Sequence, residues 1–257
     1  MKKLDGEPIL SASDLVGHLN CNHLTALDVQ VAAGSMAKPD RYDPLLEILR
    51  ERGQRHEAAY IDHLKESGYE IAAIDGVDIT AQALQATREA MSEGKQIIIQ
   101  AALSNDRWRG RADILRRVSK PSQLGEYSYE VIDTKLARET KGGTVLQLCL
   151  YADLLEAMQG IAPDYVHVVA PWSDYEPQSF RYADYAAYYR LVKSAAEHAA
   201  SEENGAETYP EPKSHCDICR WENQCDARRR QDDHLCLVAG ITKNQIAELK
   251  ENGFETT

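Results

Sequence analysis

At 257 residues and 43% apolar composition the chain can bury one large core, and no run approaches eighteen apolar residues, which argues against a membrane-spanning helix. The opening Met1-Lys2-Lys3-Leu4-Asp5-Gly6 is not followed by an apolar signal segment, so a cytoplasmic protein is expected, its six cysteines reduced and not a disulfide framework. A net charge of −12 argues against a generally basic nucleic-acid coat, because affinity for phosphates comes mainly from Lys and Arg releasing counterions.

In chain order, Ser13 precedes a helical pattern from Asp14 into the Val29 region, and a looser stretch runs from Gly34 to Arg41. Asp43-Pro44 then opens a long helix, with Pro at its first turn. Leu45, Leu49, Arg52, His56, Tyr60 and His63 recur on it at helical spacing, which predicts a largely apolar, inward-facing stripe. Tyr69 to Ile74 reads as a strand ended by Asp75-Gly76, Ile79 to Ser92 as a helix, and Gln96 to Leu103 as a buried strand. A hairpin follows, its turn between Ser119 and Glu126, and then a helix through Gln147 that ends at Gly160. Tyr165 to Ala170 and Gln178 to Tyr182 read as strands, and Tyr185 to Ala200 as a helix. Tyr182, Tyr185, Tyr188 and Tyr189 fit core packing better than base stacking. From Ser201 to Pro212 the composition turns to Glu, Asn, Gly and Pro, which marks a linker. The last stretch, 237–257, resembles the start of a helix-hairpin-helix module, with a helix from Thr242 and then Gly253, or a linker to a C-terminal remainder.

Chemistry concentrates in the hairpin. Gly110-Arg111-Ala112-Asp113 lies in one strand and Tyr129-Glu130-Val131-Ile132-Asp133-Thr134-Lys135 in the other, and a turn centred between them sets Asp113 opposite Asp133. Facing side chains on antiparallel strands have Cβ atoms about 5 Å apart, close enough for two carboxylates to share one hard divalent cation at roughly 2.0 to 2.6 Å each. Alternation puts Lys135 beside Asp133, while Thr134 points away and leaves its carbonyl near the ion. Two acids, a cation and an ammonium are what phosphodiester hydrolysis needs. Taken singly, a D-x-K triplet is more often a solvated strand end with a weak ion pair. His56 by itself reads more readily as a satisfied core imidazole than as a ligand, and Gln147 and Tyr151, four apart on one helix face, as an exposed Gln and a packed Tyr. Arg107, Arg109, Arg111, Arg116 and Arg117 flank Asp113, and Arg228-Arg229-Arg230 follow the last of three clustered cysteines, so positive charge gathers near the proposed site despite acids at Glu202, Glu203, Glu207, Glu211 and from Asp174 to Glu176.

Those cysteines, Cys216, Cys219 and Cys225, supply most of a four-thiolate site. Four thiolates, or three with His23, His215 or His234, make a closed zinc site. An iron–sulfur cluster needs a fourth thiolate. Cys149, between Leu148 and Leu150, reads as a small buried hydrophobe, and so does Cys236, which is also a possible fourth ligand.

Together, Gly53-Gln54-Arg55-His56, the Asp113 and Asp133-Thr134-Lys135 strands and Gln147-Leu148-Cys149-Leu150-Tyr151 resemble the PD-(D/E)xK nuclease superfamily. Within it they resemble the RecB-like nucleases of iron–sulfur type, similar to CRISPR-associated and helicase-fused RecB-like exonucleases. The resemblance implies an α/β restriction-endonuclease-like core, a twisted mixed β-sheet flanked by helices, with a Cys-rich cluster-binding closure. It implies Mn²⁺ or Mg²⁺ held by His56, Asp113, Asp133 and the Thr134 carbonyl, a catalytic Lys135, and Gln147 with Tyr151 as the branch's QxxxY pair. It also implies a [4Fe–4S] cluster on Cys21, Cys216, Cys219 and Cys225, with zinc as the alternative. Asp133 departs from the Glu that is commoner as second acid. The resulting division is a nuclease core over 1–212, a cluster segment over 213–236 and the module start over 237–257. The expected activity is that of a metal-dependent deoxyribonuclease, an exonuclease on single-stranded DNA in repair or processing, fused to or associated with a helicase. The rival reading is a non-catalytic DNA-binding adaptor with a structural Fe–S or Zn site. An ATPase has no support, since no G-x-x-x-x-G-K-[ST] loop occurs.

Overall fold

A computed structural model describes residues 1–4, 7–201 and 208–257. The expected linker acids Glu202, Glu203 and Glu207 lie outside the described residues. Two strands that the pattern reading missed open the chain, β1 (Lys2–Leu4) and β2 (Glu7–Ser11), and they pair antiparallel. Ser11, not Ser13, caps the first helix: its hydroxyl accepts from the Asp14 amide while the Asp14 side chain accepts from Ser11 in return. The single helix expected into the Val29 region is two, α1 (Ala12–Asn20) and α2 (Asn22–Ala32), broken at Cys21, whose backbone is extended.

Helix α3 (Pro44–Glu66) starts where Asp43-Pro44 places it, the Asp43 carboxylate accepting from the Leu45 and Leu46 amides. Then come β3 (Ile71–Ala73), α4 (Ala81–Ser92) capped by Thr80, β4 (Ile97–Ser104), β5 (Trp108–Val118) and β6 (Ser128–Thr134). Helix α5 (Gly142–Gln159) ends at Gly160, which takes the left-handed φ of +76° that favours glycine. β7 (Tyr165–Val169), β8 (Gln178–Arg181) and α6 (Tyr182–Ser201) complete the body. A 3₁₀ turn (Ser214–Ile218), α7 (Glu222–Gln231), a 3₁₀ turn (Leu235–Leu237) and α8 (Lys243–Glu251) form the C-terminal part.

The eight strands make one mixed sheet in which β5 is central. One edge of β5 pairs with β4, and β3 lies beyond it. The other edge pairs with β2 through Trp108 and Arg109 and with β6 from Ile114 onward. β6 runs parallel to β7, and β8 closes the sheet. The main core lies between one face and α1, α4, α5 and α6. Leu148, Cys149 and Leu150 are all buried in it, so α5 is apolar all round and Cys149 packs as expected. Tyr189 lies in the same core with its hydroxyl donating to Asp153, whereas Tyr188 is exposed. The opposite face carries a smaller core where Tyr60 and Leu64 of α3 meet Ile97, Ile114, Ile132 and Val169. Only these two α3 residues are buried. Leu45 and Leu49 are 63% and 42% exposed, so the first half of the expected stripe faces outward. No helix among the described residues is long and apolar enough to cross a membrane.

Candidate active site

The site forms where the β4–β5–β6 ladder is interrupted. Ile99 pairs with Ile114 and Ala101 with Ala112, which leaves Gln100 and Asp113 unpaired between them. The main core contains Ile98 and Ala101 on one strand, Ala112 and Leu115 on the other, so the two-residue alternation slips by one at this point on both. Gln100 has a φ of +56°, an uncommon conformation for a residue with a side chain. Its carbonyl accepts from Arg111 at 2.6 Å and its amide donates to Glu57 at 2.6 Å.

The β5–β6 register ends at Ile114 opposite Ile132, and one further step sets Asp113 opposite Asp133. Asp113 accepts from the Thr134 amide at 3.2 Å and from its hydroxyl at 3.5 Å. Thr134 therefore does not point away as alternation predicted, because β6 ends there and the amide turns to the carboxylate. Asp133 is 1% exposed, and neither of its oxygens has a well-formed hydrogen bond, although Lys135 Nζ lies 2.6 Å from one of them. Burial, then the charge of Asp113, pushes the Asp133 pKa well above the usual carboxylate range, against the pull of Lys135. Burial alone lowers the Lys135 pKa, but the charges of Asp133, Asp113 and Glu57 overcome it and raise it on balance.

His56 projects from α3, its Nε2 3.0 Å from the Val169 carbonyl, which also accepts from the Lys135 amide. A carbonyl only accepts, so Nε2 carries the hydrogen and neutral His56 keeps its lone pair on Nδ1. Metal-binding histidines commonly have such a partner on the second nitrogen. Glu57, which sequence spacing overlooked, brings a further carboxylate. Burial, then Asp113, raises its pKa. Its only signal was adjacency to His56, since one helical step takes it off the stripe. On α5, Gln147 Nε2 donates to the Tyr151 hydroxyl at 3.3 Å, and Tyr151, 5% exposed, has its pKa raised by burial and then by Asp133.

Most of the flanking arginines are occupied with structure. Arg111 donates to the carbonyls of Ile74, Gln100 and Asp78, Arg117 to that of Gly94, and Arg116 approaches His167 and Glu130. Arg228, Arg229 and Arg230 pair with Asp232 and Asp226 along α7, and Arg229 is buried against the Pro210 carbonyl. The basic face expected from sequence is thereby reduced to few free cations.

Cys21, Cys216, Cys219 and Cys225 line one cavity with His23, His215 and Trp221, and Cys236 is not among its walls. Burial raises the Cys219 thiol, and burial with the neighbouring Cys219 pushes Cys225 up to about 11. Among the described residues no three His, Cys, Asp or Glu side chains converge as a ready metal site. The donor sets nonetheless suit metals: soft thiols in one place, and in the other a buried carboxylate lacking a well-formed hydrogen bond, beside two more acids.

A family model described as the PD-(D/E)XK nuclease superfamily matches residues 18–226. No curated protein matches. Among solved structures, one described as "Crystal structure of SSO0001" is similar at 14% identity with a TM-score of 0.43, over 88% of this chain and 89% of that one.

Proposed function

The chain belongs to the PD-(D/E)XK nuclease superfamily, and on that premise we propose that it is a Mg²⁺- or Mn²⁺-dependent deoxyribonuclease with Asp113, Asp133 and Lys135 at the reacting phosphate. The observation that carries the reading is Asp133, a nearly fully buried carboxylate without a well-formed hydrogen bond, set against Asp113 and the Lys135 ammonium. Such a group is costly unless a cation shares it. His56 through Nδ1 and the Thr134 carbonyl would complete the holding set. A bound divalent ion would supply hydroxide from water and neutralise the phosphoryl oxygens. Lys135 would orient the water or steady charge on phosphate, and Gln147 and Tyr151 would donate to the strand being cut. Thr134 keeps Asp113 in place through its amide and hydroxyl.

Cys21, Cys216, Cys219 and Cys225 would hold a [4Fe–4S] cluster that fastens α1 and α2 to the C-terminal segment, a reading supported by the cavity they share. Brown colour with broad visible absorption in an anaerobic preparation is the expected result, and a colourless protein with stoichiometric zinc contradicts it. The finer activity, an exonuclease on single-stranded DNA in repair or processing with a fused or associated helicase, rests on the resemblance to RecB-like nucleases, as does a cytoplasmic location. The test is Mn²⁺-dependent degradation of linear against circular single-stranded DNA. Loss of the linear form alone is expected, and equal cutting of the circle assigns an endonuclease.

A further inference from the structure

Arg111, Arg116, Arg117 and the Arg228 to Arg230 triplet are engaged by the fold, and of the remaining flanking arginines, Arg107 and Arg109, it is Arg109 that has a buried nitrogen without a partner. It lies on β5 four residues before Asp113, beside Ser11 of β2. Its Nε is buried with no hydrogen-bond partner, and its guanidinium makes no ion pair among the described residues. Arg109 lines a cleft of about 540 Å³ together with Lys2, Lys3 and Lys38. The one acid on its walls is Asp78, whose carboxylate lies 3.7 Å from Lys2, both side chains over four-fifths exposed. Four cations against one acid is a strong local excess in a chain of net charge −12. A guanidinium with free donors, in a cleft that three lysines also line, matches the oxygens of a phosphate.

We propose that this cleft is a phosphate-binding subsite, separate from the paired carboxylates, that anchors the backbone of the nucleic-acid strand some way from the bond to be cut. The identity of the ligand as a nucleic-acid strand rests on the nuclease reading. Four residues of strand span about 13 Å at roughly 3.3 Å each. This corresponds to about four phosphates at roughly 3.4 Å of rise per nucleotide, and fewer on a stretched strand. The subsite would set which stretch of backbone lies across Asp113 and Asp133.

The test measures binding of a labelled single-stranded oligonucleotide to the full chain in EDTA, where cutting is stopped, across a salt series. Arg109→Gln is expected to weaken binding about tenfold and to reduce the slope of log affinity against log salt by about 0.7 for the lost contact. Lys3→Glu, at an exposed position that does not endanger folding, shifts both in the same direction. Wild-type affinity and slope in both variants would overturn the proposal. So would thermal protection by inorganic phosphate that depends on Arg109 without any change in DNA affinity, since that assigns the cleft to free phosphate. Mn²⁺-dependent cutting scores the nuclease reading separately. Cutting without Arg109-dependent binding removes the subsite alone, and the converse removes the enzyme alone.

Discussion

At Gly110 the absence of a side chain holds the site together. A Cβ there would meet Tyr151 Cε1 at 2.4 Å and Cδ1 at 2.9 Å, so the Tyr151 ring rests directly on the β5 backbone. Gly110→Ala should displace that ring, lowering stability by about 1–3 kcal/mol in denaturant unfolding and weakening nuclease activity with it. A second expectation concerns Asp133. If this carboxylate holds the ion, Mn²⁺ at about a hundredfold over its dissociation constant should stabilise the wild type by roughly 2.7 kcal/mol, read as a rise in Tm, and should leave Asp133→Asn unmoved. An equal rise in both would place the ion elsewhere. The Asp113 and Asp133 pairing was legible because a hairpin register follows from its turn. Glu57 and the turn of Thr134 toward Asp113 were not, since both depend on where regular geometry stops.

Among the elements, those with chemical start and stop signals were readable. Asp43-Pro44, Gly160 and Thr242 each bound a helix where local chemistry places it. β1 and β2 escaped because they are short and because β2 pairs with β5 about a hundred residues away, a contact that no local pattern carries. The slip at Gln100 and Asp113 escaped for a related reason: it exists only in the pairing of two strands. Helix α3 was found, but its inward stripe was overestimated, since Tyr60 and Leu64 are its only fully buried residues, with Ile61 partly buried against the same small core. Such a narrow attachment makes those two residues decisive. Leu64→Ala should cost about 2–5 kcal/mol in urea unfolding and reduce activity by loosening His56 from the Val169 carbonyl. A loss below about 1 kcal/mol would mean that α3 is held by something else.

Across the whole molecule, the two chain ends meet. Leu24 and Leu27 of α2 pack on Trp221, with Cys21, Cys219 and Cys225 alongside, and Arg41 donates to the carbonyls of Asp217 and Cys219. Sequence showed the thiol spacing, whereas the convergence of Cys21 with the C-terminal three required the fold. If a cluster or zinc completes this closure, Cys219→Ser should expose the segment after residue 208 to limited proteolysis while the β5–β6 hairpin stays protected. Unchanged protection would make the thiols mere packing. Net charge misled at this scale, because most arginines near the site serve the fold while one cleft gathers four cations against a single acid. Catalysis as proposed depends above all on Asp133, the buried acid near the end of β6. Mn²⁺-dependent degradation of labelled single-stranded DNA by wild type and by Asp133→Ala is the most direct measurement. The wild type should degrade the strand, EDTA should stop it, and the variant should be slower by about 10² or more. Equal rates for the two proteins would contradict the assignment and leave a DNA-binding adaptor in its place.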